Sequence, residues 1–311
     1  MDKRSQLYTE LQDASKAQIA ANIILHKQRT TRVRSALDRR KALKAKRAAT
    51  PLPAVPLDIL AIGDSWFEYP LSGNSVSFEN TAIVAQAQLG SMGTPPPQIL
   101  NQALHGQATT AILSYENQQN MISVLQDPGQ WLNEQTGLPD AILISGGGDD
   151  LVGDQLAIYL DYEGSGLDAT RFQGVLNSVQ ASYLDLFAFR DRFAQGVPII
   201  GHCYDYAIPN GVHPVCVSSS WLQPSLNFAG YDYTVGLRIV SGMIDLFYQM
   251  LSSLAADTTY NFSVIDTRGT LQRDASQPDG WANEIHPYFG GFTALANKFL
   301  MALRAKFPNC I

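Results

Sequence analysis

Five short apolar segments alternate with longer segments of helical periodicity after residue 57, and this alternation restricts the possible folds more than any other feature of the sequence. The segments that predict strands are 58–62, 98–103, 140–145, 197–202 and 262–265. The segments that predict helices are 78–89, 109–125, 170–194, 234–254 and 290–306. Repeated strand–helix alternation favours a parallel sheet with helices on both faces. The sequence therefore predicts an α/β fold, a three-layer α/β/α sandwich around a central parallel five-stranded sheet.

The first 50 residues differ in charge from the rest of the chain. They carry 13 Lys/Arg and 4 Asp/Glu, a net of +9, whereas the other 261 residues carry 9 and 24, a net of −15. The pattern predicts a basic helical extension over 1–48, a Pro-rich linker over 49–56 and an α/β domain over 57–311. We expect no broad binding of nucleic acid by the acidic body. The basic arm 27–47 is either a solvated face or a surface for an acidic partner or a membrane.

Cysteine usage and the N-terminus indicate the compartment. The three cysteines are Cys203, Cys216 and Cys310, and an odd number without a framework spacing is typical of a reducing environment. A bridge between Cys203 and Cys216 stays open. No secretory signal is seen, and no run reaches the roughly 18–20 apolar residues of a membrane span. We therefore expect a cytoplasmic protein, and the sequence predicts no cofactor and no metal site. The oligomeric state is not indicated.

The residues that can do chemistry follow the predicted strands. In chain order they are Asp64 and Ser65, then Asn101, His105 and Gly106, then Ser145 to Asp150, then His202, Tyr204 and Asp205, and finally Asn283, Glu284 and His286. Parallel strands end at one edge of the sheet, and ligands bind there in open α/β folds. A serine beside a histidine, with glycine amides near by, is the arrangement of a serine hydrolase.

Four of these blocks resemble the SGNH (GDSL) hydrolase superfamily, over about residues 57–306. The blocks are Gly63-Asp64-Ser65, the segment ending at Gly106, Gly147-Gly148-Asp149-Asp150 and Asn283-Glu284-Ile285-His286-Pro287. The resemblance implies the flavodoxin-like α/β/α fold of that superfamily. It also implies a serine esterase or acyl hydrolase that acts on a small-molecule ester of an alcohol, sugar or lipid. Ser65 would be the nucleophile and His286 the base, with the amides of Ser65 and Gly106 in the oxyanion hole.

Two positions depart from the family pattern. Asp149 stands where the family has the oxyanion-hole Asn, and Asn283 stands where it has the Asp that orients the histidine. An ionised Asp149 has no proton to donate, but a protonated one does, and the neighbouring Asp150 favours protonation by like-charge repulsion. Asn283 can orient His286 but cannot stabilise an imidazolium as a carboxylate does.

Further candidates lie near the predicted site. Glu284 and Asp205 are candidates for the negative charge that Asn283 lacks. Trp66 and Tyr204 either line an acyl or sugar subsite or pack in the core.

Insertions at about 150–169 and 207–233 interrupt the alternation, and the second is a candidate wall or cover of the site. The alternative function is a ligand- or carbohydrate-binding protein with weakened or absent catalysis, because a fold does not fix a function.

Overall fold

The computed structural model describes residues 56–71, 73–74, 81–89, 95–133, 135–164, 166–273, 280–308 and 310, with single positions between 31 and 45. The chain divides into two compact units, Met1–Thr50 and Pro51–Ile311. In the first unit the described positions are helical and exposed. The rest of the predicted extension 1–48, and nearly all of the predicted linker 49–56, lie outside the described residues. The domain boundaries and the role of the basic arm therefore stay predictions.

Five parallel strands form the central sheet of the second unit. The described part of this unit has seven strands, of which two lie outside the central sheet. In chain order they are β1 (Asp58–Gly63), β2 (Gln98–Asn101), β3 (Ala141–Ser145), β4 (Leu160–Asp161), β5 (Gly166–Leu167), β6 (Ile199–His202) and β7 (Phe262–Ile265). The sheet order is β2-β1-β3-β6-β7, while β4 and β5 form a separate antiparallel ribbon. In the register, Leu60 of β1 lies between Leu100 of β2 and Ile142 of β3. All neighbouring strands of the sheet are parallel.

Helices cover the sheet. They are α1 (Ile83–Leu89), α2 (Thr109–Ile112), α3 (Tyr115–Leu125), α4 (Gly148–Leu151), α5 (Leu156–Tyr159), α6 (Ala169–Phe193), α7 (Gln223–Phe228), α8 (Tyr233–Ala256) and α9 (Phe289–Lys306). Short 3-10 turns lie at Pro128–Gln130 and Thr258–Tyr260. Helix α1 packs against α9, and α6 packs against α8. The predicted three-layer α/β/α fold with five parallel strands is confirmed.

The strand order places a crevice between β1 and β3. Every residue of these two strands is buried, as expected for strands covered on both faces. β1 connects to β2 on one side, and β3 leads to β6 on the other, so their carboxyl ends form the switch point at which such sheets bind ligands. Gly63 ends β1 with φ +142°, and a Cβ there would lie 2.2 Å from the carbonyl oxygen of Ser145. Only glycine therefore allows the turn that follows β1.

One predicted helix, 109–125, is two helices in the structure. Ser114 has φ −61° and ψ 157°, an extended conformation that ends α2 and begins α3. The side chains of Asn117 and Gln118 donate to the carbonyl oxygens of Ala111 and Leu113, at 2.7 and 2.8 Å. These bonds satisfy carbonyl groups that the break would otherwise leave without partners. Apolar periodicity continues through the break, so the pattern alone does not reveal it.

Helix α8 is an exception to the prediction that no segment suits a membrane span. Its 24 residues are long and apolar enough to cross a membrane by length and composition alone. The helix buries Ile239, Met243, Phe247 and Leu251, which are spaced four residues apart on one face. Packing of this face in the domain core accounts for its apolar character.

Candidate active site

Ser65 and His286 form a hydrogen bond although they lie 221 positions apart. The Ser65 Oγ lies 2.7 Å from the His286 Nε2. Ser65 is in the turn after β1, and His286 is in the loop between β7 and α9. The two residues are 6% and 4% exposed. A serine hydroxyl and an imidazole nitrogen are thus in position for proton transfer at the predicted edge of the sheet.

Asn283 determines which ring nitrogen of His286 carries the proton. Its Oδ1 lies 3.1 Å from the His286 Nδ1 and also accepts the backbone N–H of His286 at 2.9 Å. Its Nδ2 donates to the hydroxyl of Tyr69 at 3.1 Å and to the Oδ1 of Asn74 at 3.0 Å. Because the Nδ2 faces these two acceptors, the Oδ1 faces the imidazole and accepts the proton of Nδ1. The lone pair of His286 is therefore on Nε2, toward Ser65.

Tyr69 and Asn74 are supports that the sequence did not reveal. The Tyr69 ring stacks on the His286 ring, with centroids 4.1 Å apart and an interplanar angle of 18°. The Asn74 Nδ2 donates to the carbonyl oxygen of Ala282 at 2.6 Å. The amide of Asn283 needs acceptors for its two N–H groups. This need is the only indication of the two partners that the sequence offers.

The environment of His286 keeps its imidazole neutral. Burial lowers the pKa of His286 to about 3, and the positive charge of His105 acts in the same direction. His105 Nδ1 lies 2.8 Å from a carboxylate oxygen of Glu68. The edge of the Trp221 ring also faces the imidazole, with centroids 5.4 Å apart. His286 is thus present as the free base over the whole ordinary pH range.

Glu284 and Asp205, the two candidates for a negative charge near His286, bind backbone N–H groups of loops. Glu284 is fully buried, and its carboxylate accepts four backbone N–H groups at 2.6 to 2.9 Å, from Gly211, Trp221, Leu222 and Gln223. Asp205 accepts four at 2.6 to 2.8 Å, from Tyr206, Gly269, Thr270 and Leu271. Both carboxylates hold loops in place, and neither is hydrogen-bonded to His286.

A second Ser–His pair lies beneath the first. The His202 Nδ1 accepts the backbone N–H of Tyr204 at 3.2 Å, so its Nε2 donates to the Ser145 Oγ at 2.9 Å. Ser145 in turn donates to Asp64 Oδ1, which also accepts the N–H of Trp66 at 3.0 Å. The Tyr204 hydroxyl donates to Asp64 Oδ2. Ser145 and His202 are both 0% exposed, so this pair positions the β1 turn and cannot meet a substrate.

Burial dominates the electrostatics of this network. It lowers the pKa of His202 to about 3. It raises the pKa of Asp64 above the usual value, against the effect of the three hydrogen bonds that Asp64 accepts. The network was not predicted, because the pairing depends on the order of β3 and β6 in the sheet.

Trp66 and Tyr204 pack in the core beneath the site and also line a pocket beside Ser65. Both are 4% exposed, and their rings meet edge to face with centroids 5.2 Å apart. The Trp66 Nε1 donates to the carbonyl oxygen of Ile285 at 3.0 Å. This bond joins the turn that carries Ser65 to the loop that carries His286.

The predicted oxyanion-hole residues lie on three neighbouring loops. Gly106 is exposed and has φ +73°. Within the described part of the chain, the N–H groups of Ser65 and Gly106 donate to no protein acceptor. The Asp150 carboxylate accepts the N–H and the hydroxyl of Thr109, both at 2.9 Å, and so joins the loop after β3 to the loop of Gly106. Two backbone donors therefore stay available for a ligand.

The surroundings of Asp149 favour the neutral form of its carboxyl group. Its Oδ2 is buried and has no hydrogen-bond partner among the described residues. Burial raises the pKa of Asp149 to about 7, helped by the negative charges of Asp64 and Asp150 and opposed by the positive charge of His105. A protonated side chain at this position can donate a hydrogen bond, as the amide of an Asn would.

A pocket of about 530 Å³, counting its open mouth, adjoins the site. Ser65 and Asp149 line it, and most of its other walls are aliphatic side chains.

The cysteines are unpaired. Cys203 is buried, Cys216 is exposed, and neither forms the bridge that the sequence left open. Burial raises the pKa of the Cys203 thiol to about 11. Among the described residues, no group of three or more His, Cys, Asp and Glu side chains is arranged to hold a metal ion.

No protein-family model matches the chain, and no curated protein matches it in sequence. Solved structures with a similar chain path include an extracellular lipase from Streptomyces rimosus (16% identity, TM-score 0.46, 79% of this chain and 99% of that chain). Others are a lipase/acylhydrolase from Enterococcus faecalis (14%, 0.45, 80% and 96%) and phospholipase A1 from Streptomyces albidoflavus NA297 (15%, 0.44, 81% and 100%). At these identities and TM-scores the likeness carries no information about the reaction, so the chemistry rests on the side chains.

Proposed function

We propose that this chain is a serine esterase of the SGNH type, with Ser65 as nucleophile and His286 as base. The observation that carries the proposal is the 2.7 Å hydrogen bond between the Ser65 Oγ and the His286 Nε2. Asn283 supports it by holding the other ring nitrogen as a proton donor. The order of the four sequence blocks gives independent support.

The reaction follows from this geometry. The Ser65 Oγ attacks the carbonyl carbon of an ester while its proton passes to the His286 Nε2, and the carbonyl π electrons move to oxygen. The amides of Ser65 and Gly106 donate to this oxyanion. The intermediate collapses, the alcohol leaves with the proton from His286, and an acyl-Ser65 ester remains. Water then repeats the two steps and releases the acid.

Asp149 adds a third donor when it is protonated. Its carboxyl group lies in the aliphatic pocket beside Ser65, where the neutral form is favoured. An ionised Asp149 would instead repel the developing oxyanion. The esterase is therefore most active below the pKa of Asp149.

Asn283 limits the rate. Proton transfer creates an imidazolium at His286 in a buried site, and the Asn283 carbonyl stabilises that charge less than a carboxylate would. The low pKa of His286 has the same consequence, since a weak base takes the serine proton less readily. We therefore propose a modest turnover number.

A ligand-binding protein on the same scaffold is the second candidate, and the replacements at 149 and 283 favour it. Hydrolysis of p-nitrophenyl acetate separates the two functions. The esterase proposal predicts hydrolysis by the wild type and background rates for Ser65→Ala at equal circular dichroism. Equal rates for the two proteins would favour the binding protein.

A further inference from the structure

The pocket beside Ser65 has walls from six separate segments of the chain, and the aliphatic walls come mainly from three of them. Val240, Met243 and Ile244 of α8 line one side, at the i, i+3 and i+4 spacing that places them on one helix face. Leu151 at the end of α4 and Leu222 in the second insertion line other parts. The face of α8 that borders the pocket is thus entirely aliphatic.

The position of His286 decides which half of an ester enters the pocket. The leaving oxygen takes its proton from the His286 Nε2, so the alcohol must lie beside His286. Ser65 and Asp149 line the pocket, whereas His286 does not. Ile285 also lines it, but the pocket begins at the nucleophile and not at the base, and we assign it to the acyl side of the reacting carbonyl on this ground.

Most hydrogen-bonding groups of the pocket already have protein partners, so few are available to a hydroxylated ligand. The carboxylate of Asp64 is engaged by Ser145 and Tyr204, and that of Asp205 by backbone N–H groups. The Trp66 Nε1 is engaged by the carbonyl oxygen of Ile285, and Ser65 by His286. Asp149 is the lining side chain with an unpartnered polar atom among the described residues. Burying sugar hydroxyls against the aliphatic walls would leave them without partners, at a large cost in free energy.

The wall from the second insertion is held firmly. The Leu222 N–H donates to the Glu284 carboxylate at 2.6 Å, and Glu284 lies two residues before His286 in the catalytic loop. The pocket is therefore preformed and has a fixed depth, so it should admit chains up to one length and exclude longer ones.

We propose that this pocket binds the unbranched aliphatic acyl group of the substrate. The proposal rests on the esterase function and names its substrate class. Each methylene buried should raise kcat/KM about four-fold until the pocket is full.

A series of p-nitrophenyl esters tests the proposal, because the leaving group stays constant from acetate to butyrate, hexanoate, octanoate and dodecanoate. We expect kcat/KM to rise with chain length and then fall at dodecanoate. Ile244→Trp, which fills the pocket from a partly buried position, should lower the octanoate-to-acetate ratio at least about ten-fold. Leu246→Trp is the matched control, because Leu246 lies on the same helix but is 38% exposed and outside the pocket. It should leave the ratio unchanged.

Calorimetry with neutral amides separates this proposal from the esterase function. Hexanamide should bind Ser65→Ala more tightly than acetamide does, and Ile244→Trp in that background should remove the difference. Acetate hydrolysis with a flat chain-length profile, or equal affinities for the two amides, would overturn the acyl pocket alone. Hexanamide binding without hydrolysis of any ester would overturn the esterase function, and with it the assignment of the pocket to an acyl group.

Discussion

Asn283 accepts the Nδ1 proton of His286 at a distance of 3.1 Å, where the resemblance to SGNH hydrolases implies a carboxylate. The contact gives His286 the tautomer that a base needs, but it provides no negative charge for the imidazolium. An Asp at this position would both orient the His286 ring and stabilise the charge of its imidazolium. Asn283 does only the first. The first two predictions test the replacements at positions 283 and 149.

Asn283→Asp should raise kcat for p-nitrophenyl acetate about ten-fold, because a carboxylate stabilises the imidazolium. The Tyr69 hydroxyl, which now accepts from Asn283, can turn to donate to the new oxygen. The pKa of His286 should rise from its present low value, so a loss of activity on the acid side should enter the measured range. A pH–rate profile from pH 4 to 9 measures both effects. Lower activity with an unchanged profile would show that the amide is needed for more than orientation.

Asp149→Asn should change the alkaline side of the same profile. Wild-type activity should fall as pH rises through about 7, since Asp149 then ionises and loses its proton. An Asn donates at every pH, so the variant should keep its activity and exceed the wild type by about 10²-fold at pH 9. Asp154→Asn, in the next loop, is the control for a general change of charge. If the activity of Asp149→Asn still falls as pH rises through about 7, Asp149 is not part of the oxyanion hole.

Glu284→Ala should destabilise the domain strongly, because four backbone N–H groups would lose one buried acceptor group. We expect a loss of about 3 kcal/mol or more in the free energy of unfolding, measured by urea titration. Glu284→Gln should lose less, since one oxygen remains. Glu163→Ala, at an exposed position, should stay within about 0.5 kcal/mol of the wild type. A small effect of Glu284→Ala would mean that the second insertion is held by other contacts.

The fold was predictable from the sequence because strand–helix alternation and chain order specify a parallel sheet. The same logic located Ser65 and His286 at one edge of that sheet, before any distance was known. It did not reveal Tyr69 and Asn74, which meet Asn283 from about 210 positions away. It left the position of Glu284 open, and the Glu284 carboxylate lies on the backbone N–H groups of the second insertion. Such partners depend on tertiary packing, which periodicity does not record.

The most direct measurement of the central claim is covalent labelling with a fluorophosphonate, followed by peptide mapping. An activated serine reacts with this probe, and the described residues include two Ser–His pairs, of which Ser145 is 0% and Ser65 6% exposed. The account predicts one adduct, on Ser65, which is lost in Ser65→Ala and kept in Ser145→Ala when that variant folds. A wild type that stays unlabelled, or an adduct on Ser145, would contradict it.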